Sequence, residues 1–149
     1  MDIKIQKATT EDFDEILNWR NDDLSRLMSR SQERVSIEEQ HKWFDSYLTG
    51  NKITIYMGYW SEKKIGVCYF NFDEESKMSE VSININPNFR GLGLSRQFLM
   101  NALSAFRKIN TSLIRAVVKK SNKPSISIFK TCDFTLIDED TKYFYFNYK

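Results

Sequence analysis

The sequence predicts a single mixed α/β domain whose central, mostly antiparallel sheet is flanked by helices. Three observations carry this. The chain has 149 residues, the size of one ordinary domain. Three consecutive runs rich in β-branched and aromatic residues, Ile53 to Tyr59, Lys64 to Phe72 and Met78 to Ile85, are joined by short polar turns. The rhythm then changes to a glycine-containing loop, a helical period, and a strand–helix–hairpin series.

Taken in order, Ile3, Ile5 and Ala8 open an alternating strand, and Thr9-Thr10-Glu11-Asp12 is a helix-start cluster. Phe13, Ile16, Leu17 and Arg20 follow at spacings of three and four. A second helix starts after Ser36, where Glu39 completes a capping box, and carries Trp43, Phe44 and Tyr47 before Gly50. Ser61-Glu62-Lys63 and Asp73-Glu74-Glu75-Ser76 separate the three strands of a meander. Asn86-Pro87 ends the third strand, and Leu94, Phe98, Ala102, Leu103 and Phe106 mark a helical face. Leu113 to Val118 reads as a strand, Ser125 to Lys130 as a short helix, and Phe134 to Ile137 with Tyr143 to Tyr148 as a terminal hairpin. No repeat or linker divides residues 1–149.

Composition narrows the function. Lys and Arg number 22 against 20 Asp and Glu, a net charge of +2, which gives no case for nucleic acid or an anionic membrane as partner. The N-terminus has no apolar core of a signal peptide, and no run approaches the roughly 18 apolar residues of a membrane span. Cys68 and Cys132 lack CxxC spacing and are expected to be reduced, which fits a cytoplasmic protein. One histidine, His41, and no Cys/His cluster lead to the expectation of no metal. No nucleophile-elbow pattern accompanies that histidine, which sets hydrolase readings aside. The sequence leaves open whether the terminal hairpin pairs between two copies as a homodimer.

Arg90-Gly91-Leu92-Gly93-Leu94-Ser95 is the most informative segment. Its glycines let backbone approach a ligand, and the following helix start offers unpaired N–H groups and a positive dipole end, which together suit a phosphate. A P-loop is excluded because no lysine follows before Lys108, and a Rossmann fingerprint because Arg96 stands where a small residue is required. The remaining pattern, R-x-x-G-x-S after a strand ending in Ile85-Asn86-Pro87, resembles the pyrophosphate loop of the GNAT superfamily of N-acetyltransferases, with Ser95 in place of the usual Gly or Ala. Val117-Val118-Lys119-Lys120-Ser121-Asn122 fits the family's strand that leads to a pantetheine-contacting Asn. Ser125 to Phe134 fits its closing helix, with Asp133 where Gly is customary. Within the superfamily, Leu17-Asn18-Trp19-Arg20-Asn21, Ile65-Gly66-Val67, Pro87-Asn88, Lys120-Ser121-Asn122 and Asp138-Glu139-Asp140 to Tyr145 resemble the aminosugar N-acetyltransferases of the pseudaminic-acid pathway.

The resemblance implies acetyl-CoA as cosubstrate and a small-molecule amine as acceptor, a nucleotide-linked aminosugar, with a protein N-terminus, another small amine or mere CoA binding as alternatives. It places the cofactor on Ile83, Ile85, Arg90, Gly91, Leu92, Gly93, Leu94, Ser95, Asn122, Ser125 and Phe129. Glu80 is the base candidate, although a solvent-facing strand residue fits the pattern too. The family often carries a Tyr at the position of Phe129, which has no proton to give. Its ring edge is expected to face the cofactor cavity, and water or Tyr69 is left as proton donor. Arg20, Asn21, His41, Trp43, Phe44 and Tyr69 are the acceptor-site candidates, Trp43 and Phe44 being equally suited to a core. The basic stretch Lys119 to Lys123 is read as attracting the phosphates of the cofactor.

Overall fold

The computed structural model describes residues 2–148. Strand β1 (Ile3–Lys7) is followed by a 3-10 turn at Thr10–Asp12 and three helices, α1 (Phe13–Asn21), α2 (Asp23–Met28) and α3 (Ile37–Thr49). The meander β2 (Ile53–Trp60), β3 (Lys63–Asp73) and β4 (Met78–Ile85) leads through a 3-10 turn at Pro87–Phe89 into α4 (Ser95–Arg107). Then come β5 (Leu113–Lys119), α5 (Lys123–Thr131), β6 (Phe134–Glu139) and β7 (Tyr143–Tyr148). One seven-stranded sheet runs in the order β1-β2-β3-β4-β5-β7-β6, antiparallel throughout except at β4–β5. The mixed α/β expectation is met. Helix α2 is the element that the periodicity does not reveal: it buries none of its residues, so it has no apolar stripe to read.

Strand alternation sends side chains to two faces, and each face has its own core. Tyr56, Cys68, Phe70 and Val81 meet Phe98, Leu99 and Phe106 of α4, with Phe129 of α5 in the same cluster. Ile55, Met57 and Val67 meet Ile16 and Trp19 of α1 and Phe44 of α3 on the other face. Phe106 stacks on Phe70 with ring centroids 4.0 Å apart, and every apolar residue of the α4 stripe is at most 2% exposed. Burial of such side chains stabilises by about 1.5–3 kcal/mol each. Across the first turn of α1, Lys64 Nζ bonds Asp12 at 2.8 Å and Glu15 at 2.6 Å. Those bonds, Asp12 foremost, hold the ammonium charged well above the usual lysine range.

Helix α4 lies close to the sheet because Phe98 rests over two glycines. A Cβ on Gly58 would sit 2.6 Å from a ring carbon of Phe98, and one on Gly66 would sit 3.1 Å from the same ring. Gly58→Ala is therefore expected to lower stability by about 1–3 kcal/mol, as overpacking does, read as a fall in the urea midpoint at unchanged m-value.

Candidate active site

The parallel pairing of β4 with β5 covers only Met78↔Leu113, Ser79↔Ile114 and Glu80↔Arg115. Beyond that point β4 continues to Ile85 and β5 to Lys119 without pairing to each other, so the sheet splays open. The N–H of Asn86 donates to the carbonyl of Ile65 at 2.8 Å, continuing the β3–β4 register. By strand alternation Ser82 and Asn84 also direct their peptide groups to β3, while Val81, Ile83 and Ile85 direct theirs into the gap. The gap therefore has a row of backbone donors and acceptors along one wall. The half-buried side chains of Ile83 and Ile85 pack on the α4 side.

At the mouth of the gap lies the loop Arg90 to Leu94. Gly91 and Gly93 adopt φ of +75° and +74°, a region that disfavours side chains, and a Cβ at either would meet nothing within 4 Å. Leu94 is the N-cap of α4 and gives no side-chain cap, so the first N–H groups of the helix, from Ser95 on, point outward without an intrahelical partner. Leu94 itself is buried and anchors this terminus, while Leu92 is 53% exposed. On the β5 side, Asn122 caps α5 by accepting from the N–H of Ser125 at 3.3 Å. An open turn, an uncapped helix start and a row of free peptide groups form a continuous track that suits a pyrophosphate followed by an amide-bearing arm.

Glu80 stands where the pairing ends, on the sheet face of α1 and α3. Its Oε2 accepts from Arg30 at 2.6 Å, and Arg115 Nε lies 3.5 Å from Oε1 without making a hydrogen bond. Together with Tyr69, Asn71 and Ser82 these residues line a cavity of about 410 Å³. A larger groove, about 580 Å³, runs between α4 and the end of α5 and includes no residue of the splayed strands β4 and β5. Trp43 reaches Tyr69 edge-on at 5.0 Å, adding an aromatic flank to the Glu80 cavity.

Several expected site residues lie elsewhere. Phe44 is 2% exposed and belongs to the core, not to a wall. His41 stacks on Phe13 at 4.5 Å, at the start of α1 and apart from the cavity residues. Arg20 bonds the fully buried Gln40 at 2.8 Å and lies 4.6 Å over the Trp43 ring. Asn21 ties both backbone groups of Val35, at 2.9 and 2.7 Å. Both are thus clamps between helices. Arg90 sends its guanidinium to Asp22 and, at 3.0 Å, to Ser25 Oγ, so it is not free over the loop. Lys119 is bonded to the carbonyl of Leu27, and Lys120 to Glu139, so two cations of the basic stretch are already committed. The residues that sequence reasoning misses are Arg30 and Arg115, brought to Glu80 from 50 and 35 positions away.

Phe129 corrects another expectation. Its ring is 3% exposed and packs on Phe134 at 4.9 Å and Phe146 at 6.4 Å, so its edge does not face an open cavity. Phe129→Tyr is expected to bury an unpaired hydroxyl and cost about 1–3 kcal/mol, with no gain in rate. Thermal unfolding alongside steady-state kinetics checks both halves of this, and a faster enzyme at unchanged stability would place the ring in the gap.

The comparison with known proteins bears on the track between loop and splay. A family profile described as an acetyltransferase (GNAT) domain matches residues 5–149. The chain belongs to the GNAT acetyltransferase family. A GNAT relative named acetyltransferase PseH, from Campylobacter jejuni serotype O:23/36, is 25% identical over 96% of this chain and 91% of its own length. The crystal structure of C. jejuni N-acetyltransferase PseH in complex with acetyl coenzyme A is similar with a TM-score of 0.71, at 23% identity, covering 99% of each chain. That of a spermidine N-acetyltransferase from Vibrio cholerae with CoA and spermine gives a TM-score of 0.81 at 17% identity, covering 97% of this chain and 95% of that one. As a GNAT enzyme the protein is an N-acetyltransferase that uses acetyl-CoA. No helix among the described residues is long and apolar enough to cross a membrane.

Proposed function

We propose that this GNAT enzyme acetylates the amino group of a nucleotide-linked aminosugar, a UDP-4-amino sugar being the class that its sequence resemblance indicates. The observation that carries this reading is the near full-length similarity to the two Campylobacter proteins named PseH, 25% and 26% identical. The cavity at Glu80 supports it physically. Two guanidinium groups, Arg30 and Arg115, meet one carboxylate there, while Asp73 turns its carboxylate to the N–H groups of Glu75 and Ser76. The wall balances two cations against two carboxylates, and the buried Nε of Arg115, which has no hydrogen-bond partner, is a donor left for an acceptor that carries phosphate.

When bound, acetyl-CoA supplies a thioester whose carbonyl carbon an amine attacks. The chain's own residues do the rest. The N–H groups of Gly91 to Ser95 hold the pyrophosphate, and Ile83 and Ile85 offer peptide groups to the pantetheine arm and the thioester oxygen. Asn122 and Ser125, at the start of α5, border the arm from the β5 side. Glu80, at the apex of the splay, takes the amine proton through a water, and Tyr69 and Trp43 orient the sugar. Tyr69 is the phenol that lines the cavity and is the side chain available to return a proton.

The test is CoA release from acetyl-CoA with UDP-4-amino-4,6-dideoxy sugar, an N-terminal peptide and spermidine offered in parallel. The sugar nucleotide is expected to exceed the other two in kcat/KM by at least about a hundredfold, near 2.7 kcal/mol of transition-state discrimination. Preference for spermidine or the peptide overturns the acceptor. Binding of acetyl-CoA with no turnover on any of the three overturns the aminosugar reading in favour of a CoA-binding module.

A further inference from the structure

Helix α2 buries none of its residues, yet it is bonded to Arg90 beside the glycine loop and to both splayed strands. Asp22, its N-cap, and Ser25 hold Arg90, the residue next to the glycine loop. Ser25 Oγ also donates to Asn84 Oδ1 of β4 at 2.9 Å. The carbonyl of Leu27 accepts from Lys119 of β5 at 2.9 Å, and Arg30, just past the helix, reaches Glu80. The segment thus bridges from one splayed strand to the other. Leu24 and Leu27 remain 47% and 51% exposed and Met28 is only half-buried, so polar bonds carry much of what keeps it in place. A segment held in this way opens locally at little cost.

We propose that Arg90 is a positioning residue that ties the phosphate loop to α2, so that filling the loop orders α2 across the splayed strands. The proposal rests on the reading of the Gly91–Ser95 loop as the donor site. The loop has two glycines at positive φ with open space where their Cβ atoms would stand, so few contacts fix it, and Arg90 beside it is bonded to Asp22 and Ser25. A phosphate seated on the loop fixes the Arg90 backbone, which then holds Asp22 and Ser25 in one geometry. The entropy of ordering α2 is paid once, with the donor, and an acceptor entering beneath α2 meets an assembled wall. By linkage, whatever orders α2 also tightens the loop on its ligand. Burial works against the charge of Asp22, but the hydrogen bond and charge of Arg90, with the N–H groups of Ser25 and Leu24, outweigh it and keep the carboxyl below its ordinary range.

Hydrogen exchange of the whole chain, with and without saturating coenzyme A, tests this in the wild type and in R90A, D22N and the double variant. Asn still caps a helix, so D22N keeps α2 capped while removing its charge. In the wild type, coenzyme A is expected to slow exchange of residues 90–97 and, by about tenfold or more, of residues 23–30. In R90A and D22N the first effect stays and the second is lost. Calorimetric Kd values for coenzyme A are expected to rise by a similar factor, about threefold, in each single variant, and no further in the double variant. If R90A weakens coenzyme A at least about tenfold while D22N does not, Arg90 binds the phosphate itself and the proposal is wrong. Protection of residues 23–30 that survives in both variants overturns it as well. If residues 90–97 gain no protection in the wild type, the donor-site reading fails, and the coupling fails with it.

Discussion

Gly93→Val is expected to raise the Kd for acetyl-CoA by roughly tenfold to a hundredfold while the protein stays folded. Two effects add. A β-branched residue at a φ of +74° is strained, which costs about 1–2 kcal/mol or is relieved by turning the peptide groups out of the cradle. The new side chain also occupies the open space above the loop, where no protein atom lies within 4 Å of the Cβ position. Because that space is empty of protein, the damage falls on the ligand and not on packing. Calorimetric titration with acetyl-CoA, with thermal unfolding as control, reads the effect directly. A folded variant with wild-type affinity moves the phosphates elsewhere.

Glu80→Gln is expected to lower kcat/KM by about a hundredfold to ten-thousandfold near neutral pH. The loss should shrink as pH rises through the acceptor amine's own pKa, because free amine then accumulates without help from a base. At low pH the amine is protonated and the variant has nothing to deprotonate it, so the loss is greatest there. The substitution preserves shape and one acceptor oxygen for Arg30, but it removes the charge facing two guanidinium groups. Kinetics from pH 6 to 10 with the best acceptor of the panel separate the roles. A loss below about threefold across that range would make Glu80 only an anchor for Arg30 and Arg115.

The proposed donor half of the site was legible because its geometry is local. Gly91, Gly93 and the helix start at Ser95 are contiguous, and positive φ is a property that glycine announces in sequence. The meander was legible for the same reason, since its turns are short and its strands alternate. The acceptor half was not, because it is assembled from distant pieces. Arg115 reaches Glu80 only through a parallel crossover by way of α4, and Arg30 arrives from a segment without apolar period. Helical spacing showed that Trp43 and Phe44 share a side of α3, but not that Phe44 sinks to 2% exposure while Trp43 stays at the rim beside Tyr69. His41 and Arg20 carry polar groups that read as ligands in sequence, whereas the fold uses them against Phe13 and Gln40. Phe129 is lost to the same kind of ambiguity, an aromatic residue that serves equally well as wall or as filler.

The two apolar clusters on opposite faces of the sheet have a consequence for substitutions in either. The cluster under α4 and α5 holds Leu94 behind the glycine loop, and the cluster under α1 and α3 has Tyr69 of the Glu80 cavity packed against it. The two clusters are rooted on alternate residues of the same strands, as Tyr56 lies between Ile55 and Met57, and face away from each other across the sheet. A change of side chain in one cluster therefore leaves the packing partners of the other in place. Solved structures share this fold at 17–23% identity. The sheet keeps the two packings apart, while the bonds of α2 and Arg30 join the glycine loop to the cavity at Glu80 across them.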